Sequence, residues 1–152
     1  MSDNLTAKTI IDSPSYQTYL NQLQNVISRM ATQSMHAKTT CGALITGILV
    51  FSSRNLPQFA WIGLLVIGIF CFLDCSYLTL EKGYREKFNS VISKIKSGQD
   101  ITEDLFNMAP PCGYTEFSSL SKALFSWSVK YYYGCLIVVI IIAPYFLKQG
   151  GN

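Results

Sequence analysis

Hydrophobic residues are concentrated in three stretches of the chain. Residues 39–53 contain the run GALITGILVF, residues 57–80 are largely apolar, and residues 127–147 contain YYYGCLIVVIIIAPYFL. A helix needs about 20 apolar residues to cross the hydrocarbon core of a bilayer. The pattern therefore predicts an all-α integral membrane protein with about three transmembrane helices and cytoplasmic helical extensions. Trp127 and Tyr131–Tyr133 are expected to form an aromatic belt at one end of the third span.

The first stretch leaves an alternative open. The stretch is only about 14 residues long and would reach roughly 21 Å, whereas the hydrocarbon core is about 30 Å thick. It would span with local thinning of the bilayer, or it would form a re-entrant or interfacial segment. The break at Ser53–Pro57 predicts a tight turn, so the first two stretches would form a helical hairpin.

Two amphipathic segments continue from the hairpin. Residues 14–38 begin with a helix-start signal, Ser13-Pro14, and carry an apolar stripe opposite an almost uncharged face. A membrane-surface helix is usually rich in lysine and arginine, so packing against residues 81–97 is favoured. Residues 98–126 are predicted to be a cytoplasmic loop with short helices. Candidate residues for binding a cytoplasmic protein partner are Tyr19, Leu23, Val26 and Ile27.

Composition and charge agree with a membrane protein. Of 152 residues, 49% are hydrophobic and 14% charged, which is sparse charge for a soluble domain. The net charge of +3 is too small to indicate nucleic-acid binding, and none is expected. Ten of the 12 lysines and arginines would lie on one side of the bilayer. This distribution predicts a cytoplasmic N-terminus and an outside C-terminus.

The motifs of the common enzyme and metal sites do not occur in the sequence. The single histidine, His36, leaves no Cys/His catalytic pair and no zinc set among the five cysteines. There is no phosphate-binding glycine loop, nucleophile elbow or HExxH motif. We therefore expect no enzyme activity, no catalytic residue, no metal and no cofactor.

Asp74 is the most informative single residue, because it is a carboxylate at the end of the second apolar stretch. A charge within a membrane is costly and normally faces protein or water. Asp74 is either a cap-like carboxylate bonded to Ser76 or a nearby tyrosine, or a polar contact between helices or subunits, or a pore-facing group. Residues that share its helix face are predicted to share an oligomer or pore contact: Tyr77, Glu81, Tyr84 and Arg85.

Ala43 and Gly47 are a pair of small residues four positions apart in the first apolar stretch. Such pairs let helices approach closely in lipid. We include both among the candidate oligomer contacts. Packing within one hairpin and packing between protomers remain equal alternatives.

The run FLDCSYLTLEKGYREKF at residues 72–88 resembles a pattern of small bacterial membrane proteins found beside antiphage systems, including RNA-targeting CRISPR and adenosine-deaminase-based defence. In that pattern a span ends in F-L-D-x-x-Y-L-x-x-E-x-x-Y-R and continues as a cytoplasmic helix. The layout of residues 14–97 is also similar to that of SLATT effectors, although a third span departs from their two-span plan. The matching residues are Leu73, Asp74, Tyr77, Leu78, Glu81, Tyr84 and Arg85.

The resemblance implies a homo-oligomeric effector of the bacterial inner membrane. Such an effector would perturb or permeabilise the membrane when a cytoplasmic defence partner triggers it. The alternative is a non-conducting membrane scaffold that recruits a soluble defence enzyme or complex through its cytoplasmic helices.

Overall fold

The computed structural model describes residues 14–54, 61–97, 99, 107–109 and 117–149. Within these ranges the chain forms four helices and no strand: α1 spans Pro14–Arg54, α2 spans Ile62–Lys96, α3 spans Phe117–Leu124 and α4 spans Trp127–Gln149. The predicted all-helical class is confirmed for this part of the chain. Most of the predicted turn at Ser53–Pro57, and the first part of the predicted loop 98–126, lie outside the described residues.

Helix α1 is a single element of 41 residues, so the amphipathic segment 14–38 and the apolar stretch 39–53 are continuous. Its length is about 60 Å at 1.5 Å per residue, roughly twice the thickness of a bilayer core. No glycine or proline interrupts residues 15–41. At the junction, the hydroxyl of Thr39 donates to the carbonyl of Met35 at 3.2 Å, so this β-branched polar residue is accommodated within the helix.

Helix α2 continues without a break from its apolar half into its charged half, as predicted for residues 57–80 and 81–97. It ends at Lys96, where the hydroxyl of Ser97 donates to the carbonyl of Lys94 at 2.8 Å. Of the described helices, α2 alone is long and apolar enough to cross a bilayer by length and composition. Helix α4 contains a shorter apolar stretch, Trp127–Ala143. The count of three spans therefore stays a prediction.

Helices α1 and α2 form an antiparallel hairpin. The end away from the turn carries a mostly polar surface, and we call it the polar end. A small group of buried side chains holds the two helices together there. We call this group the polar-end cluster: Tyr16, Tyr19 and Leu23 of α1 with Val91 and Ile95 of α2. The predicted packing of residues 14–38 against residues 81–97 is thereby confirmed. Since the cluster is far from the hairpin turn in sequence, the two helices stay in contact over most of their lengths.

A second group of buried side chains, the apolar-end cluster, joins α4 and α3 to the hairpin. Its members are Cys41, Ile45, Ile67, Cys75, Ala123, Val129, Tyr133 and Ile140. Gly63 lies where three helices approach closely, because a Cβ atom there would collide with the side chain of Ile140 and crowd that of Ile45. The result is a three-helix bundle at the apolar end and a two-helix hairpin at the polar end.

Candidate functional site

Asp74 forms a buried ion pair with Lys38 between α2 and α1. The Lys38 ammonium lies 2.7 Å from Oδ2 of Asp74 and donates a hydrogen bond to Oδ1 at 2.9 Å. The hydroxyl of Ser34 also donates to Oδ1, and Lys38 contacts the Ser34 oxygen at 3.1 Å. Among the described residues no donor meets Oδ2 at hydrogen-bonding angles, so its 2.7 Å contact with Lys38 is ionic.

This geometry makes Asp74 a polar contact between helices of one chain. Its side chain is completely buried, and the Lys38 side chain is 12% exposed. Ser76 is not its partner, since the Ser76 hydroxyl donates to the carbonyl of Phe72 at 2.9 Å. The cap-like interpretation is therefore not what the structure shows. A role for Asp74 between subunits or in a pore would require this ion pair to open.

The sequence analysis missed Lys38 and Ser34 as partners of Asp74, although a signal for them exists. Lys38 and Asp74 are each 18 residues from Leu56, which lies within the predicted turn. An antiparallel hairpin that folds about this point places them opposite each other. Ser34 is one helical turn before Lys38 and shares its face.

Two tyrosines of α4 fasten the third helix at the level of the ion pair. The Tyr132 hydroxyl donates to the carbonyl of Lys38 at 2.6 Å, and the Tyr133 hydroxyl donates to the carbonyl of Phe70 at 3.1 Å. Gly42 makes the first approach possible, because a Cβ there would lie 2.9 Å from the Tyr132 oxygen. The predicted aromatic belt is thus divided: Trp127 and Tyr131 are exposed, whereas Tyr133 is buried.

The arrangement joins α1, α2 and α4 through polar contacts between the helices. Removing one member of a buried ion pair leaves the other charge unpaired, which costs about 3–5 kcal/mol. Among the described residues there is no group of three or more histidine, cysteine or acidic side chains that could hold a metal ion. The polar groups are directed at one another and at backbone carbonyls between the helices.

The other residues predicted to share the helix face of Asp74, which we call the α2 stripe, point in different directions. Arg85 forms an ion pair with Glu81 at 2.8 Å and is largely exposed, on the outside of the hairpin. The Tyr84 hydroxyl donates to the carbonyl of Met108 at 3.2 Å, inside the same chain, and Tyr77 is half-buried. The stripe is therefore not one continuous surface. Its role in oligomer or pore contacts stays a prediction.

Ala43 and Gly47 lie outside the α1–α2 contact. Both are exposed, and a Cβ at Gly47 would meet nothing within 4 Å. They line an open apolar groove on the outer face of the hairpin, which we call the small-residue groove: Ala43, Leu44, Gly47, Ile48, Phe51 and Ile62. This position leaves them available to another helix.

Two of the four candidate partner-binding residues are used inside the chain instead. Tyr19 is 3% exposed and Leu23 is fully buried, because both pack against α2 in the polar-end cluster. The Tyr19 hydroxyl also donates to the carbonyl of Asn107 at 3.3 Å. Val26 and Ile27 are half-buried. An accessible docking surface on α1 would therefore have to use other side chains than Tyr19 and Leu23.

Tyr16 shows how closely the polar end is packed. Its hydroxyl is buried without a hydrogen-bond partner among the described residues, and burial raises the pKa of this phenol. Because the charged form of a phenol is disfavoured away from water, Tyr16 stays neutral well above pH 7. It contributes apolar packing rather than a titratable site.

Large apolar side chains are exposed at the apolar end of the bundle on three helices. Examples are Val50 and Phe51 on α1, Leu65, Ile69 and Phe72 on α2, and Val138, Ile141 and Ile142 on α4. Towards the polar end, exposed positions of α1 carry uncharged polar side chains instead: Gln17, Asn21, Gln22, Gln24 and Asn25. The exposed surface therefore changes from apolar to polar near the level of the ion pair.

No family model, curated protein or solved structure matches this chain.

Proposed function

We propose that this protein is an oligomeric effector of the bacterial inner membrane that perturbs or permeabilises the bilayer when a cytoplasmic partner triggers it. The observation that carries the proposal is the apolar surface exposed on three helices at one end of the bundle. Soluble monomers rarely expose contiguous apolar patches larger than a few hundred Å². A lipid bilayer would cover this surface on α1, α2 and α4 together.

In the proposed placement, the ion pair of Asp74 and Lys38 lies near the cytoplasmic edge of the hydrocarbon core. The polar-end cluster and the charged half of α2 would then lie in the cytoplasm. The excess of lysine and arginine in this part supports that orientation, with the N-terminus inside and the C-terminus outside.

Oligomer formation is proposed from the small-residue groove. Gly47 and Ala43 leave a depression on α1 that a helix of a second copy could enter, and small residues of this kind allow close approach in lipid. Several copies would be needed to surround a conducting path, because the three helices of one chain are packed against each other. Opening the ion pair in the assembly would release two charged groups towards that path.

The defence role is proposed from the resemblance of residues 72–88 to proteins found beside antiphage systems. The cytoplasmic trigger would act on α1 and α2, which continue from the proposed membrane region into the polar end. A change in the polar-end packing could reach the ion pair along these two continuous helices.

A pair of glycine variants tests the oligomer. Gly47→Leu fills the small-residue groove, whereas Gly68→Leu makes the same change on an exposed face of α2 that is not part of the groove. In both positions a Cβ would have nothing within 4 Å, so neither variant should disturb the fold of one chain.

The two measurements are native mass spectrometry in mild detergent and dye release from liposomes, at a protein density high enough to drive assembly without the cytoplasmic partner. We expect a defined oligomer of four or more copies for the wild type and for Gly68→Leu. Gly47→Leu should dissociate and lose most of the dye release. A monomeric wild type that releases no dye would contradict the proposal.

The structure also favours a second candidate, the non-conducting scaffold. Asp74 is satisfied within its own chain, and the cytoplasmic halves of α1 and α2 form a packed unit that could present a surface to a soluble enzyme or complex. Replacing the apolar halves of the helices with unrelated spans would preserve the activity of a scaffold. The same replacement would abolish that of a pore.

A further inference from the structure

A basic pocket lies between α2 and α3, on the polar side of the ion pair. It is lined by Thr79, Lys82, Arg85, Glu86, Ser119 and Lys122, and its volume is about 420 Å³. Two lysines and one arginine therefore face one carboxylate. Arg85 is engaged by Glu81, whereas Lys82 and Lys122 have no ion-pair partner within the described residues.

From this pocket we infer a binding site for the phosphate of an anionic phospholipid headgroup. Two ammonium groups from different helices can approach one phosphate from two sides, and the exposed N–H groups of Arg85 can add a third contact. Glu86 can accept a hydrogen bond from a hydroxyl of the headgroup, as a glycerol headgroup would offer. The inference rests on the membrane placement given under the proposed function.

The depth of the pocket fits a headgroup. Thr79 and Glu86 are five and 12 residues beyond Asp74 on α2. This separation is about 8–18 Å along the helix axis. With Asp74 at the edge of the hydrocarbon core, the pocket lies in the polar layer that flanks this core.

Two exposed aromatic side chains follow α3 in the chain, and we assign them to the apolar part of the same site. Phe125 is 81% exposed and Trp127 is 78% exposed, and both follow Lys122 closely in the chain. Tryptophan and other aromatic side chains are favoured at membrane–water interfaces. A phospholipid could therefore place its phosphate on the lysines and its acyl chains beside these exposed rings.

Fluorescence of Trp127 tests both the placement and the pocket. The chain has two tryptophans, so Trp61→Phe leaves Trp127 as the only reporter. The full chain is reconstituted into phosphatidylcholine vesicles that contain brominated phosphatidylcholine or brominated phosphatidylglycerol, whose bromine atoms quench nearby tryptophan. We expect quenching by both lipids and a clear preference for the anionic one.

Charge variants identify the pocket as the source of this preference. Lys82→Gln with Lys122→Gln should reduce the relative affinity for phosphatidylglycerol about tenfold, since each lysine near an anionic surface contributes appreciably. The matched control, Lys96→Gln with Lys130→Gln, removes the same charge from exposed positions outside the pocket and should change it less than twofold.

The outcomes separate the two proposals. If brominated phosphatidylcholine does not quench Trp127, the membrane placement fails. If it quenches but the preference is absent, or is equally reduced in both double variants, the placement stands and the pocket is overturned. If millimolar inorganic phosphate removes the preference, the pocket takes a soluble phosphate, and the lipid assignment is wrong.

Discussion

At the scale of single residues, the ion pair of Asp74 and Lys38 joins the two long helices near the level where their exposed surface changes from apolar to polar. The sequence marks Asp74 because a carboxylate next to an apolar run needs a partner. The sequence does not indicate that Lys38 needs a partner, since a lysine at the start of an apolar stretch can extend its ammonium group to the membrane surface by itself. Only the register of the hairpin, which brings the two side chains within 2.7 Å, distinguishes these cases.

Substitutions of the pair should show strong coupling. Asp74→Leu and Lys38→Met each leave the other member of the pair as an unpaired buried charge, and we expect each to cost about 3–5 kcal/mol. The double variant Lys38→Met with Asp74→Leu replaces both charges by apolar groups and should recover most of that loss. The measurement is the free energy of unfolding in mixed detergent micelles for the four proteins of the cycle.

Activity of the same double variant separates two roles of Asp74. If the pair only holds α1 against α2, the stable double variant should release dye from liposomes as the wild type does. If Asp74 acts in a conducting path, the double variant should be stable but inactive. Additive losses in the two single variants would contradict the observed contact itself.

At the scale of helices, the sequence predicts where a helix continues without a break, but it predicts only partly which side chains point inward. The run from residue 57 to 97 has no helix-breaking residue after Pro57 apart from scattered glycines, and α2 is indeed one helix. The three successive tyrosines of α4 are different. Neighbouring residues on a helix point about 100° apart, so the run YYY cannot by itself tell which ring packs inward. Tyr133 is the buried one of the three, and its hydroxyl reaches the carbonyl of Phe70 on α2.

A lysine of α2 holds a short segment against the polar end. Lys87 donates to the carbonyls of Asn107 and Ala109, the second at 2.8 Å, and Tyr84 bonds the carbonyl of Met108 between them. Lys87→Met should remove two of these bonds. We expect hydrogen exchange of residues 107–109 to become about tenfold faster, because each such bond contributes about 1 kcal/mol.

The control for this prediction is Lys96→Met, which removes an exposed lysine near the end of the same helix. It should leave exchange at residues 107–109 unchanged. Equal exchange in the wild type and in Lys87→Met would mean that the tyrosines and Met108 hold the segment without the lysine.

At the scale of the whole molecule, hydropathy predicted the helices better than it predicted the core. The buried groups are small, and many of the largest apolar side chains point outward. A count of apolar residues along the sequence cannot separate those that face other helices from those that face outward. It also cannot fix the number of spans, because α1 is apolar over only part of its length, whereas α2 is long and apolar enough to cross a bilayer by itself.

Cys135 provides a direct check on what covers the outward-facing surface. It is exposed on α4, whereas Cys41 and Cys75 are buried and Cys71 is half-buried. If lipid covers the apolar end, Cys135 should be protected from a charged maleimide in lipid nanodiscs. The thiolate is the reactive form, and a charge is costly in hydrocarbon, so labelling should be on the order of a hundredfold slower than in water.

The comparison site is Lys96→Cys, at the exposed polar end of α2, introduced together with Cys112→Ser to remove the fifth cysteine. Nanodiscs leave both faces of the bilayer accessible, so orientation does not affect the result. We expect rapid labelling at position 96 and very slow labelling at position 135, followed by mass spectrometry of the peptides. Both positions should label rapidly once the protein is unfolded. Rapid labelling at both positions in nanodiscs would mean that the apolar end is in water, and that its exposed side chains belong to a protein interface instead of a bilayer.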